Sequence, residues 1–148
     1  MPGILIIAHA PLASALKSVA QHTFPDCTRA LEALDVTPEM GIEEIETVAR
    51  ALLERVRSPC ALVLTDVLSA TPGNVAQKLV DGRSVRLVAG VNVPMLWCAL
   101  NKAHESLEDM AGCAVDRARL GVVQVAVSPP QNQPQKRRTH DPENGQDQ

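Results

Sequence analysis

Two kinds of apolar pattern alternate along this chain. The first is short, unbroken and rich in β-branched residues: Gly3 to Ala8, Cys60 to Leu64 and Val85 to Ala89. A run of that length without alternation suits a strand covered on both faces, as in a parallel sheet. The second pattern repeats every three or four residues. Leu12, Leu16, Val19 and Ala20 predict a helix after the first strand. Ile42, Ile45, Val48, Ala49, Leu52 and Val56 form one stripe, with Glu43, Glu44, Glu46, Arg50, Glu54, Arg55 and Arg57 mainly outside it, which predicts a long amphipathic helix on a sheet face. Val75, Ala76, Leu79 and Val80 repeat the pattern before Asp81-Gly82 stops it. Met95 to Ala103 is helical by pattern, and Leu107, Met110, Ala111, Ala114 and Ala118 carry a last helix that ends at Gly121. Ala30 to Val36 is a weaker strand, whose Glu32 points to a sheet edge, and Val122 to Val127 is a terminal strand.

Residues between the runs mark the joints. Pro11 fits the first turn of a helix, where a missing N–H costs nothing. Thr37-Pro38-Glu39 reads as a helix entry, and so does Thr71 as N-cap with Pro72 in the first turn. Ser106-Leu107-Glu108-Asp109 is a capping-box signature. The order βαβαβαβααβ predicts an α/β fold with a doubly wound, mainly parallel sheet. Its expected strand order is 2-1-3-4, plus the C-terminal strand. In such folds the ligand crevice lies at the carboxyl ends of the strands flanking the reversal. His9 ends the first strand and Asp66 follows the third, so this topology makes them neighbours.

Composition narrows the functions. The chain has 148 residues, and its core must be aliphatic because only 1% of it is aromatic. With no Tyr, one Trp and a formal charge of -3, it lacks both stacking platforms and a basic surface, so nucleic acid is not an expected partner. The four cysteines, Cys27, Cys60, Cys98 and Cys113, have no zinc-site spacing and read as reduced, buried small hydrophobes. No metal and no cofactor is expected. The N-terminal apolar run is too short for a membrane span and has no basic lead-in, so a cytoplasmic protein is expected. Residues 1–128 are expected to form one domain, and 129–148, polar and rich in Pro and Gln, a disordered tail.

A histidine beside an aspartate has a specific chemistry. A carboxylate that accepts the Nδ1 proton fixes the tautomer and leaves a lone pair on Nε2. That nitrogen can serve as base, metal ligand or nucleophile. Acyl transfer would need an activated nucleophile, and Ser69 lacks the G-x-S-x-G setting. Metal binding would need more ligands, and His22, His104 and His140 fall on predicted helices or in the tail. Two helix starts and the hydroxyls of Ser69 and Thr71 suit a phosphoryl group taken by His9. A receiver-type reading, with phosphate on Asp66, wants an acidic pair after the first strand, where this chain has Ala8-His9-Ala10. The plainer alternative is a hydrogen-bonded strand-end histidine and a helix-capping carboxylate.

His9 at the end of its strand, Leu64-Thr65-Asp66 with Ala70-Thr71-Pro72-Gly73-Asn74, and above all Ala89-Gly90-Val91-Asn92-Val93-Pro94-Met95-Leu96 resemble the mannose-type IIA component of the bacterial phosphoenolpyruvate:sugar phosphotransferase system. The resemblance runs from Pro2 to about Val127. It implies that His9 accepts a phosphoryl group on Nε2 from phospho-HPr, that Asp66 orients the ring, and that Ser69 and Thr71 contact the phosphate. It further implies onward transfer to a IIB component, contact with the membrane only through permease components, and a homodimer in which Val122 to Val127 pairs with the partner subunit's sheet. The loop Val67-Leu68-Ser69-Ala70 departs from the pattern of sugar-uptake members, which often carry an aromatic residue and glycines there, and Ala10-Pro11 follows the histidine where glycine is common. These departures keep a second reading open: a regulatory IIA protein whose His9 phosphorylation state controls binding to a target.

Overall fold

The structure is a computed structural model and describes residues 1–127. Four strands, β1 (Gly3–His9), β2 (Leu31–Val36), β3 (Ala61–Thr65) and β4 (Val85–Ala89), form one sheet in the order β2-β1-β3-β4. Every pairing is parallel. Five helices connect and cover them: α1 (Leu12–Thr23), α2 (Ile42–Val56), α3 (Thr71–Leu79), α4 (Val93–Asn101) and α5 (Leu107–Leu120). The expected α/β class and strand order are therefore present.

Strand geometry divides the core into two layers. Successive side chains leave a strand on opposite faces. Ile4, Ile6 and Ala8 of β1 join Leu62 and Leu64 of β3 in the cluster that α1, α4 and α5 cover. Leu5 and Ile7 join Val63 and Val85 in the cluster that α2 and α3 cover. The register makes this coherent: Ile4 lies beside Leu62 and Ile6 beside Leu64. With both faces covered, β1 and β3 have no polar alternation, and that is why they read as unbroken runs. Backbone crowding adds a constraint. A Cβ at Gly3 would clash with the carbonyl of Val56, so a glycine is needed where the end of α2 meets β1.

Several joints differ from expectation. A short 3-10 turn, Thr28–Ala30, precedes β2. β2 is an edge strand, as Glu32 suggested, and Glu32 pairs with Lys17 at 3.2 Å and Arg55 at 3.1 Å. Helix α2 is not entered at Thr37-Pro38. Those residues form a turn, and the helix begins after Gly41, with Glu43 and Glu44 in its first turn. Thr71 is the first helical residue of α3 rather than its N-cap, a position held by Ala70. Asn92 caps α4 by accepting from the Met95 N–H at 3.0 Å, so that helix starts two residues before Met95. Ser106 caps α5 as expected, accepting from the Asp109 N–H at 3.1 Å.

Two further expectations are corrected. Residues 122–127 form no strand within this chain; they follow the end of α5, with Val122, Val123, Val125 and Val127 exposed. The cysteines are not uniformly reduced and buried. Cys98 and Cys113 are bonded, Cys27 is exposed and Cys60 is half-buried. The expected tail, 129–148, lies outside the described residues.

Candidate active site

The β1–β3 ladder ends with Ile7 beside Thr65. Beyond that pair, the Asp66 side chain takes over. Its Oδ2 accepts the His9 backbone N–H at 3.0 Å and also meets His9 Nδ1 at 2.7 Å. Its Oδ1 accepts the Val67 N–H at 2.8 Å. The carboxylate therefore continues the sheet by one rung and grips the imidazole with the same oxygen. On the other side, the Ala10 N–H donates to the Val36 carbonyl at 2.9 Å, so His9 is held from both neighbouring strands. Asp66 is itself anchored, because its carbonyl accepts the Gly90 N–H at 3.0 Å.

Partial burial alone would push the Asp66 carboxyl up. The His9 ring and the backbone N–H groups of His9 and Val67 more than offset that, and hold it below its ordinary value of 3.8. An ionised carboxylate has no proton to give, so His9 Nδ1 carries the hydrogen in their shared bond. In the neutral form of such a ring the lone pair lies on Nε2. The Asp66 side chain is 13% exposed and the His9 side chain 53%, so the carboxylate is sheltered while the ring reaches solvent.

His9 and Thr71 line one cavity of about 260 Å³ with Val36, Thr37, Pro38 and Met40. The wall from the β2–α2 turn had no distinct signal in the sequence beyond its proline and threonine. Ser69 sits on the exposed turn between Asp66 and α3 and is not part of that lining. Helix α3 has no side-chain cap, and Pro72 in its first turn has no N–H to satisfy. The Asn74 N–H bonds the Ala70 carbonyl at 2.9 Å, while the N–H groups of Thr71 and Gly73 have no partner among the described residues, an arrangement that suits an anion. The other helix expected to aim at the crevice is already engaged: the Ser14 N–H of α1 donates to Asp35 Oδ1 at 3.0 Å. Asp35 and its capping contact were not foreseen.

The loop after Asp66 is tightly seated on α3. A Cβ at Gly73 would strike the carbonyl oxygens of Val67 and Leu68, so only glycine lets the loop approach this closely. Gln77 Nε2 donates to the Leu68 carbonyl at 3.2 Å and holds the loop down from the next turn. Val67 and Leu68, which directly follow Asp66, stay about half exposed. Among the described residues no group of three or more His, Cys, Asp or Glu side chains is arranged to hold a metal ion.

Comparison with known proteins agrees with this geometry. A family model described as the fructose IIA component of the phosphotransferase system matches residues 3–114. The sorbose-specific EIIA component of Lacticaseibacillus casei is 28% identical over 109 residues, which cover 72% of this chain and 78% of that protein. A mannose/sorbose-specific IIA subunit from Enterococcus faecalis superposes with a TM-score of 0.77 at 22% identity, covering 87% of this chain and 98% of that one. A phosphotransferase system EIIA component from Streptococcus agalactiae superposes with a TM-score of 0.73 at 23% identity, covering 84% and 97%. The chain belongs to the mannose-type IIA family of the phosphotransferase system.

Proposed function

We propose that His9 is the phosphoryl acceptor of this IIA component, taking the group from the phosphohistidine of HPr and passing it to a IIB component. The Nε2 lone pair forms the new P–N bond as the bond to the donor histidine breaks, and the return step reverses this toward the acceptor. Asp66 keeps the ring in the reactive tautomer and stabilises the positive charge that grows on it. The observation that carries the reading is the 2.7 Å contact between Asp66 and Nδ1, which supports Nε2 as the reacting nitrogen. Thr71, which lines the cavity with His9, and the uncapped start of α3 are assigned as donors for the phosphoryl oxygens, and Ser69 is assigned the same role from its turn. In-line placement and charge stabilisation are most of what such a transfer requires.

Residues 1–128 act as one phosphocarrier domain, with 129–148 as a polar tail. The protein works in the cytoplasm and meets the membrane only through permease components. Among the described residues no helix is long and apolar enough to cross a membrane. It works as a homodimer in which residues 122–127 add to the partner subunit's sheet at β4. In support, β4 is an edge strand, apolar cavities lie along it, and the four valines of that segment are 70–95% exposed. A second reading keeps the phosphorylation and ends there, with a target protein reading the state of His9. The exposed Val67 and Leu68 favour it, since they offer an apolar contact surface next to the site.

The test is transfer of labelled phosphate from phosphoenolpyruvate through enzyme I and HPr to wild type and His9→Ala. Acid-labile label on wild type alone is the expected result. An unlabelled wild type, with a cognate HPr shown to be charged, would overturn both readings.

A further inference from the structure

Away from the His9 crevice, α4 and α5 bring two cysteines together. Cys98 and Cys113 are joined, their Cα atoms 6.2 Å apart across a sequence separation of 15. Both line a surface cavity of about 460 Å³, together with Trp97, Lys102 and Arg117. Cys98 is buried and Cys113 is half-buried. Lys102 Nζ is already engaged by Glu105 Oε1 at 2.6 Å. Arg117 has no carboxylate partner among the described residues, so the cavity holds a sulfur pair beside an unneutralised cation.

We propose that Cys98 and Cys113 are a redox-active pair that exchanges with anionic low-molecular-weight disulfides and thiols entering this cavity. A thiolate is the attacking species, and a neighbouring guanidinium favours it while drawing in carboxylates. Cys113, the more accessible, bonds to one sulfur of the small disulfide and expels the other as a thiolate. Cys98 then attacks the Cys113 sulfur and expels the second small thiolate. The two protons released by the cysteines go to the two leaving thiolates; two protein thiols are oxidised and one small disulfide is reduced to two thiols. Small thiols run the exchange backwards. The whole chain carries a formal charge of -3 and should repel anions, so any preference for an anionic reagent reports on the cavity itself.

The chain supplies its own probe. Trp97 is its one tryptophan and lines the same cavity, where an adjacent disulfide quenches indole emission. Reduced full-length protein is mixed with oxidised glutathione, which is anionic, or cystamine, which is cationic. Trp97 fluorescence gives the rates, and peptide mapping locates the products, so Cys27 and Cys60 do not confuse the reading. Oxidised glutathione is expected to link Cys98 to Cys113 and dim Trp97. Cys98→Ser is expected to retain glutathione on Cys113. Arg117→Gln is expected to lower the ratio of the glutathione rate to the cystamine rate by about tenfold. An unchanged ratio in Arg117→Gln would overturn the role of the cavity. Cys98 and Cys113 recovered as free thiols after excess oxidised glutathione would overturn the pair. Neither readout depends on phosphoryl transfer.

Discussion

Asp66 does two things with one oxygen: it completes the β1–β3 ladder at the His9 N–H and fixes the His9 ring. Asp66→Asn keeps the shape but loses the charge that stabilises a cationic ring. We expect the rate of phosphoryl acceptance to fall at least about a hundredfold with the circular dichroism spectrum unchanged. The folded-state pKa of Asp66 is depressed, so its contribution to stability is full above its ordinary value of 3.8 and is lost as pH falls through the lower folded value. Acid titration should therefore show an extra loss of stability below the ordinary carboxylate range in wild type, and not in Asp66→Asn. Thr65, one residue earlier, is fully buried and its hydroxyl has no partner among the described residues. Thr65→Val should leave stability unchanged or raise it by about 1 kcal/mol, as read from urea unfolding. At this scale much was legible: His9 and Asp66 stand out as polar residues at the ends of apolar runs. The second contact, to the His9 backbone, was not, because register is a property of two strands and not of either alone.

At the scale of elements, the loop after Asp66 and helix α3 behave as one unit. Gly73→Ala must push Val67 and Leu68 outward, which should cost about 1–3 kcal/mol in thermal or urea unfolding and slow phosphoryl acceptance. Stability lost with full activity would show that the loop does not shape the site. Asn92 is the corresponding tie on the far side. It caps α4 and donates from Nδ2 to the Ala118 carbonyl of α5 at 3.1 Å, so Asn92→Ala should cost about 1–2 kcal/mol. Helix entries were the least legible feature. Thr37-Pro38 and Thr71-Pro72 both carry the hydroxyl and proline of an entry, yet the chain uses Gly41 and Ala70 as N-caps, residues with no capping side chain. Capping preferences amount to only about 1 kcal/mol, less than the packing that sets where α2 and α3 seat on the sheet. Where Ser106 meets no such competition, the capping box stands as expected.

At the scale of the molecule, the layers were readable because unbroken runs and helical stripes record burial directly. The bonded cysteines were not, since Cys98 and Cys113 meet only when α4 and α5 pack. Nor does the periodicity of residues 122–127 say which sheet they join. Their exposed valines and the open edge of β4 predict that the full chain sediments as a dimer and that truncation after Gly121 yields a monomer. A full chain that sediments as a monomer would remove the shared sheet. One site governs the rest: the carboxylate of Asp66 occupies Nδ1, and under the proposed function the group arrives on Nε2 of His9. The most direct measurement is phosphorus and ring-nitrogen NMR of the phosphorylated protein with labelled histidine. A single phosphohistidine at His9, bonded through Nε2, is the predicted result. A phosphoryl group on Nδ1, or on any residue other than His9, would contradict it.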